Sequence, residues 1–82
     1  MAVILGKDDL RLRKQISARL KALRESTGKN KVDFAYELGI DKQALYRLEK
    51  GEGATIYTIN KYCKYLEMTL SEFFDSPLFK GI

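Results

Sequence analysis

Apolar residues recur at helical spacing along the first third of this chain. One stripe, at spacing i, i+4, i+8 and i+11, is formed by Leu12, Ile16, Leu20 and Leu23. This stripe predicts an amphipathic helix from about Leu10 to Ser26. Gly28 follows the helix and supplies the signal at which it ends.

The segment from Phe34 to Gly51 predicts two short helices joined by a tight turn. The apolar positions that these helices would bury are Phe34, Ala35, Leu38, Leu45 and Leu48. Asn30 is placed to cap the first helix, and Gly39 follows that helix where the chain needs a left-handed residue. Asp41 is placed to cap the next helix, which we expect to run from about Lys42 to Lys50.

Two more helices are predicted in the last third of the chain. Thr55 is placed to cap a fourth helix, whose apolar face carries Ile59, Tyr62, Cys63 and Leu66. Thr69 and Glu72 have the spacing of a capping box, which predicts a short fifth helix over about Leu70 to Asp75. Strand alternation longer than a few residues is absent apart from the ambiguous opening Met1–Leu5. The predicted fold class is therefore all-α, a compact five-helix domain with a helix-turn-helix at helices 2 and 3.

The length and composition predict one soluble globular domain, since 82 residues with 45% hydrophobic and 32% charged content can bury one modest core. We expect residues 1–9 to form an N-terminal extension, residues 10–75 the helix-turn-helix domain, and residues 76–82 a C-terminal tail. Pro77 ends the fifth helix in this division. Both ends of the chain are apolar, so they either fold back onto the core or cover a partner subunit.

The basic residues are concentrated in the first part of the chain. Met1 to Lys31 contain nine Lys and Arg against three Asp and Glu, a net charge of +6, whereas Val32 to Ile82 contain six against eight, a net charge of −2. The total of +4 favours an anionic partner, although a surplus of this size also fits an ordinary soluble protein. We attribute the charge of the first helix to solubility and weak electrostatic steering.

The cysteine and histidine content excludes several kinds of site. Cys63 is the single cysteine and the chain has no histidine, so neither an internal disulfide nor a histidine–cysteine metal site can form. The sequence also lacks a glycine-rich phosphate loop and a catalytic constellation. We therefore expect no enzymatic activity, no cofactor and no metal. The free thiol, and the lack of a segment long enough for a signal or a membrane span, predict a cytoplasmic protein without membrane attachment.

The order of these elements resembles the phage-repressor-like helix-turn-helix family, also called the Cro/C1 or XRE type. The matching stretches are ISARLKALRESTG, FAYELGIDKQALYRLEKG and TINKYCKYLEMTLSEFF, which lie between Ile16 and Phe74. The resemblance implies a sequence-specific domain for double-stranded DNA that usually acts as a homodimer on a near-palindromic operator. It also implies a structural ion pair between Arg24 and Glu49, which would hold the third helix at its angle.

The outward positions of the third helix carry the candidate base contacts, which are Lys42, Gln43, Tyr46 and Arg47. In a helix-turn-helix the third helix enters the major groove with its N-terminus first. Gln43 can pair with adenine through its amide, and Lys42 can donate to guanine. Tyr46 could contact a thymine methyl group or a phosphate, and Arg47 could reach a base or the backbone. On an isolated helix these side chains would be only a solvated face, but the complete five-helix order favours DNA contact.

Phosphate contacts are expected from Lys31, at the start of the second helix, and from Lys50, at the end of the third. The backbone amides near Thr55, at the N-terminus of the fourth helix, add an anion site that the helix dipole favours. Where the family often carries glutamine at the start of the second helix, this chain has Lys31, which changes the geometry of that contact. The loop Glu52–Ala54 lacks the basic residues that some relatives place there.

Two functions fit these features. The first is a transcriptional regulator, most simply a repressor that occludes a promoter. The second is the antitoxin of a toxin–antitoxin pair, in which the same fold binds DNA while a terminus neutralises a toxin. A neighbouring gene for a small toxin would favour the second function, whereas a lone gene beside a palindrome would favour the first.

Overall fold

A computed structural model describes residues 6–80, which form five α-helices and one short 3-10 helix. The helices are α1 (Lys7–Ser26), α2 (Lys31–Leu38), α3 (Lys42–Glu49), α4 (Ile56–Tyr65) and α5 (Leu70–Phe74), followed by the 3-10 helix Pro77–Phe79. No β-strand occurs within residues 6–80. The predicted all-α fold is therefore confirmed. The expectations for Met1–Leu5 and for Ile82 lie outside the described residues.

Four of the five α-helices begin at a side-chain cap. The capping side chains each accept a hydrogen bond from the backbone N–H three positions later, and they belong to Asn30, Asp41, Thr55 and Thr69. Their donor–acceptor distances range from 2.7 to 3.2 Å. Each cap satisfies a backbone donor that helix geometry leaves unpaired. For this reason the starts of α2 to α5 agree with the starts predicted from the sequence.

Helix α1 begins at Lys7, earlier than the expected start at Leu10. Its first turn holds Asp8 and Asp9, whose negative charges complement the positive end of the helix dipole. The backbone N–H of Gly6 donates to the carboxylate of Asp9 at 3.1 Å and closes this end of the helix. The apolar stripe that predicted α1 starts only after this polar turn, so the stripe could not reveal it. The division into an extension, a domain and a tail stays a prediction.

The turn between α2 and α3 is closed by backbone hydrogen bonds. Gly39 has a φ of 85°, in the left-handed region that glycine adopts at little cost. The N–H groups of Gly39 and Ile40 both donate to the carbonyl of Ala35 at 3.0 Å. The half-buried side chain of Ile40 packs against the core. This turn fixes the position of α3 relative to α2.

The core lies between the five helices, and its fully buried large side chains are Leu20, Phe34, Leu45, Tyr62, Cys63 and Phe73. Helix α1 buries its apolar stripe unevenly. Leu20 is 0% exposed, whereas Leu12, two turns earlier, remains 39% exposed. Leu12 lines a cleft together with Gly51, Gly53 and Ala54, which have too little side chain to cover it. The periodicity of α1 therefore predicted its inner face correctly but not how far along the helix that face is buried.

The residues from Pro77 to Phe79 pack against the domain and contact α1. The side-chain amide of Gln15 donates to the Leu78 carbonyl at 2.6 Å. Phe79 packs on the core, with its ring centroid 6.2 Å from that of Phe73 and 5.2 Å from that of Phe74. Helix α5 ends at Phe74, and Pro77 begins the 3-10 helix, whose apolar side chains still pack against the other helices.

Candidate nucleic-acid interface

Helix α3 presents two chemically distinct faces. Leu45 and Leu48 are buried in the core. The opposite face is exposed and carries the four predicted base contacts, Lys42, Gln43, Tyr46 and Arg47. Lys42 and Gln43 form the first turn, directly after the Asp41 cap. They therefore lie at the end of the helix that enters a DNA groove first in a helix-turn-helix.

The C-terminal end of α3 is tied to α1 by an ion pair between Arg24 and Glu49. The Arg24 Nε atom lies 2.5 Å from Glu49 Oε2, and Nη2 lies 3.2 Å from Oε1. Only 10% of the Arg24 side chain and 5% of the Glu49 side chain are exposed. The hydrogen bond to Glu49 raises the pKa of Arg24 above its ordinary value, against the opposing effect of burial. The structure thus brings together the two residues that the family resemblance paired, and the contact fixes the end of α3.

A second contact from α1 supports the same end of α3, and no local sequence pattern signals it. The Arg13 guanidinium donates to the backbone carbonyl of Gly51. Gly51 is buried and has a φ of 93°, a backbone conformation that side chains disfavour. The glycine was recognisable as the end of the helix. Its partner was not, because Arg13 lies 38 positions away along the chain.

Three of the predicted DNA contacts are gathered into one cluster, which we call the 31–46–50 cluster after Lys31, Tyr46 and Lys50. The Lys31 ammonium lies 4.5 Å from the centroid of the Tyr46 ring, and the Lys50 ammonium lies 4.6 Å from it. Lys31 is the first residue of α2 and Lys50 directly follows α3, so the cluster joins both helices. An ammonium over an aromatic ring is attracted by the negative face of the ring. The sequence predicted each residue but not their mutual contact.

Thr55 lies apart from this cluster along the chain, as the cap of α4. Its hydroxyl accepts a hydrogen bond from the Thr58 backbone N–H at 3.2 Å. The side chain is therefore engaged in the helix cap, and any role in anion binding falls to the backbone amides that begin α4. Arg47 is exposed and lines a shallow cleft of about 160 Å³ together with Glu52 and Thr58.

A polar cluster on the surface joins α2 to α4, and the sequence analysis missed it. The Lys29 ammonium lies 2.5 and 2.6 Å from the two oxygens of Glu37, and the Tyr65 hydroxyl donates to Glu37 at 2.9 Å. Hydrogen bonds from Lys29 and then Tyr65 lower the pKa of Glu37, and the bond to Glu37 raises the pKa of Lys29. The Tyr65 ring also packs edge-on against Phe34 at 5.5 Å. These contacts position α2 against α4.

Other kinds of site find little support in the part of the chain that the structure describes. Residues 6–80 hold no group of three or more His, Cys, Asp or Glu side chains arranged to bind a metal ion. Among these residues, no α-helix combines the length and the apolar character that a membrane span requires. The features that stand out are the exposed face of α3 and the basic side chains around it.

Comparisons with known proteins agree with this geometry. The helix-turn-helix family matches residues 20–73. The chain is also similar to a protein of Pyrococcus horikoshii that is provisionally named an HTH-type transcriptional regulatory protein, with 39% identity over 64 residues. A protein of the same provisional description from Pyrococcus furiosus is 36% identical over 64 residues. No solved structure gives a significant match.

These similarities establish the family. The chain belongs to the helix-turn-helix family, and the order of its five helices is that of the Cro/C1 or XRE type. The matched region covers 78% of this chain but only 18% of either Pyrococcus protein. The chain therefore spans about a fifth of the length of the curated relatives it matches.

Proposed function

We propose that this chain is a cytoplasmic transcriptional regulator that binds a specific site on double-stranded DNA through the major groove. The observation that carries the proposal is the exposed face of α3, which consists of four polar or cationic side chains opposite a buried apolar face. Family membership and the provisional names of the Pyrococcus relatives support the same function. Most simply, the bound protein represses transcription by occluding a promoter.

Base recognition in this proposal belongs to the first turn of α3 and the turn that follows. The Gln43 amide matches the donor and acceptor pattern of adenine, and the Lys42 ammonium can donate to the guanine acceptors. Arg47 lies one turn beyond Gln43 and reaches either a base edge or the backbone. A good bidentate contact discriminates against the wrong base by about 1–3 kcal/mol. Sequence preference should therefore depend most on Gln43.

Phosphate contacts in this proposal hold the domain in register on the duplex. Lys31 begins α2, Lys50 directly follows α3, and the backbone amides near Thr55 begin α4. Such contacts add affinity for every DNA sequence and carry no sequence information directly. One copy of the chain supplies one recognition helix, whereas a near-palindromic operator has two half-sites. We therefore propose that two copies bind the operator as a homodimer.

The experiment that tests the proposal is selection of bound duplexes from a random DNA pool at near-physiological salt. We expect enrichment of a two-fold-symmetric site whose half-sites are about one helical turn apart. Gln43→Ala should relax the preference at one base pair. Lys31→Ala should weaken binding to all sequences alike and lower the slope of log affinity against log salt by about one unit.

Two results would count against the proposal. A pool that stays random would show that binding is purely electrostatic or that the partner is a protein such as a toxin. A selected site that is unchanged in both sequence and affinity by Gln43→Ala would show that the recognition face is not where we place it.

A further inference from the structure

The 31–46–50 cluster concentrates positive charge around one aromatic ring. Both ammonium groups lie within 4.6 Å of the centroid of the Tyr46 ring, although they come from different helices. Two like charges that lie against the same ring repel each other. The face of the ring compensates only in part, because a cation–π contact removes no charge. The positive charge of the cluster is therefore not neutralised by the ring, which favours the binding of an anion.

The Glu49 carboxylate does not neutralise the charge of the cluster. Its carboxylate already accepts two hydrogen bonds from Arg24, and its closest approach to Lys31 is 4.0 Å, at the limit of an ion pair. Glu49 is also held in place, since only 5% of its side chain is exposed. The Lys31 ammonium thus keeps its positive charge available at the surface, where 35% of the side chain is exposed.

We infer that Lys31, Tyr46 and Lys50 bind a single backbone phosphate of duplex DNA as one unit. This inference rests on the proposed function and assigns Tyr46 to the phosphate instead of a base. The two ammonium groups donate to the non-bridging phosphate oxygens, which can each accept more than one hydrogen bond. The Tyr46 hydroxyl is a third donor, and its ring holds the two lysine side chains ready for the anion.

The chemistry of the cluster favours a phosphate over a base edge. A base edge is neutral, so it would leave the charges of both ammonium groups uncompensated, whereas a phosphodiester carries one negative charge. The ring of Tyr46 is also occupied by the ammonium groups, which leaves less of its face free to pack on a thymine methyl group. The side chain is 45% exposed, so it remains accessible to the DNA backbone.

The test measures how DNA affinity depends on salt in a set of lysine variants. For duplex DNA, the slope of log affinity against log salt falls by about 0.9 for each phosphate contact that is lost. We compare Lys31→Gln, Lys50→Gln and the double variant on the selected duplex and on a random duplex. If both lysines share one phosphate, the double variant lowers the slope by about 0.9 in total, however this loss divides between the two single variants. If they bind separate phosphates, the losses add to about 1.8, and the inference is overturned.

Tyr46 is tested by two substitutions that separate the ring from its hydroxyl. Tyr46→Phe keeps the ring and should weaken binding to both duplexes by the same factor, with base preference unchanged at every position. Tyr46→Leu removes the ring and should make the effects of the two lysine substitutions more nearly additive. A relaxed preference at one base pair in either variant would show that Tyr46 reads a base.

The controls separate this inference from the proposed function. Lys64→Gln removes an exposed lysine from the last turn of α4 and should leave the salt slope unchanged. Circular dichroism of every variant verifies that the fold is intact. If the unmodified protein selects no DNA sequence, the proposed function fails. If it selects a sequence but the lysine losses add, only the shared phosphate site fails.

Discussion

Tyr62 is the largest fully buried side chain, and its hydroxyl has no hydrogen-bond partner among the described residues. The centroid of its ring lies 5.4 Å from that of Phe34, so the apolar part of the side chain packs in the core. Burial raises the pKa of Tyr62, and the charge of Glu49 adds to the effect. The hydroxyl therefore stays neutral, but its burial without a partner costs free energy.

Tyr62→Phe should consequently stabilise the protein. The substitution removes the unpaired hydroxyl and keeps the ring, so we expect the free energy of unfolding to rise by about 1 kcal/mol. Urea denaturation at pH 7 measures this change. Tyr65→Phe is the matched control, because it removes a hydroxyl that donates to Glu37 and should not stabilise. A loss of stability in Tyr62→Phe would show that water or another group pairs with the hydroxyl in solution.

The Arg24–Glu49 pair acts at the scale of elements, because it joins the last turn of α1 to the last residue of α3. Glu49→Gln keeps the shape of the side chain but leaves the Arg24 guanidinium buried without a charged partner. We expect the free energy of unfolding to fall by about 3 kcal/mol, the cost of breaking a buried pair from one side. DNA binding should weaken together with stability, since the end of α3 loses its support.

Thermal and urea denaturation measure this effect, and Glu52→Gln is the control. Glu52 is exposed just beyond α3, so its substitution should change stability by less than about 0.5 kcal/mol. The double variant Arg24→Met/Glu49→Leu should be more stable than either single variant, because it removes both buried charges. Equal stability of Glu49→Gln and Glu52→Gln would mean that the ion pair contributes nothing.

The cluster of Lys29, Glu37 and Tyr65 predicts a dependence of stability on pH. The pKa of Glu37 is lowered below its ordinary value of 4.5 in the folded state, so the folded protein favours the carboxylate. The stabilisation is therefore complete above pH 4.5 and is lost as the pH falls through the lowered pKa. The pKa of Lys29 is raised above 10.5, so its part is lost only at higher pH.

Urea denaturation of the unmodified protein and of Glu37→Gln measures this contribution. The gap in stability between the two should be present at pH 7 and should close toward pH 2. It should also shrink in high salt, because the pair is exposed and its charges are screened. A gap that stays constant over this pH range would show that the Glu37 carboxylate is not paired in solution.

At the scale of the whole molecule, the proposed dimer makes a prediction about operator spacing. Two recognition helices meet two half-sites only if these lie on the same side of the duplex, about 10–10.5 base pairs apart. Inserting about five base pairs between the half-sites should lower affinity toward that of a single half-site. Inserting a full turn should recover part of the loss. Fluorescence anisotropy with labelled duplexes measures the affinity for both spacing variants. An affinity that does not change with the spacing would contradict a dimer.

Much of the fold was predictable because local chemistry marks its elements. Caps at Asn30, Asp41, Thr55 and Thr69 lie next to the helices that they begin, and apolar spacing marks the faces that are buried. The start of α1 was not predicted, and the packing of Phe79 on the core was one of two alternatives that the apolar C-terminus left open. The first depends on charges before the apolar stripe, and the second on an aromatic contact with residues that lie elsewhere in the sequence.

The exposure of the α3 side chains in the candidate site was predictable, and so was the Arg24–Glu49 pair, but the other contacts were not. The spacing of α3 identifies which side chains face outward, and the structure leaves all four exposed. The cation–π contacts of Lys31 and Lys50 with Tyr46 depend on how α2 and α3 pack, so no local pattern could show them. The same holds for the contact between Arg13 and Gly51, which brings distant parts of the chain together.

The supports of α3 and its exposed N-terminal turn occupy different ends of the helix. Arg24 and Arg13 hold Glu49 and Gly51, whereas Lys42 and Gln43 lie at the other end. A mutation at the exposed end therefore removes neither support, and it has no need of a compensating change in the core. In evolutionary terms, the proposed base recognition by Lys42 and Gln43 would let such a domain acquire a new target sequence through one or two surface substitutions while its stability is inherited unchanged.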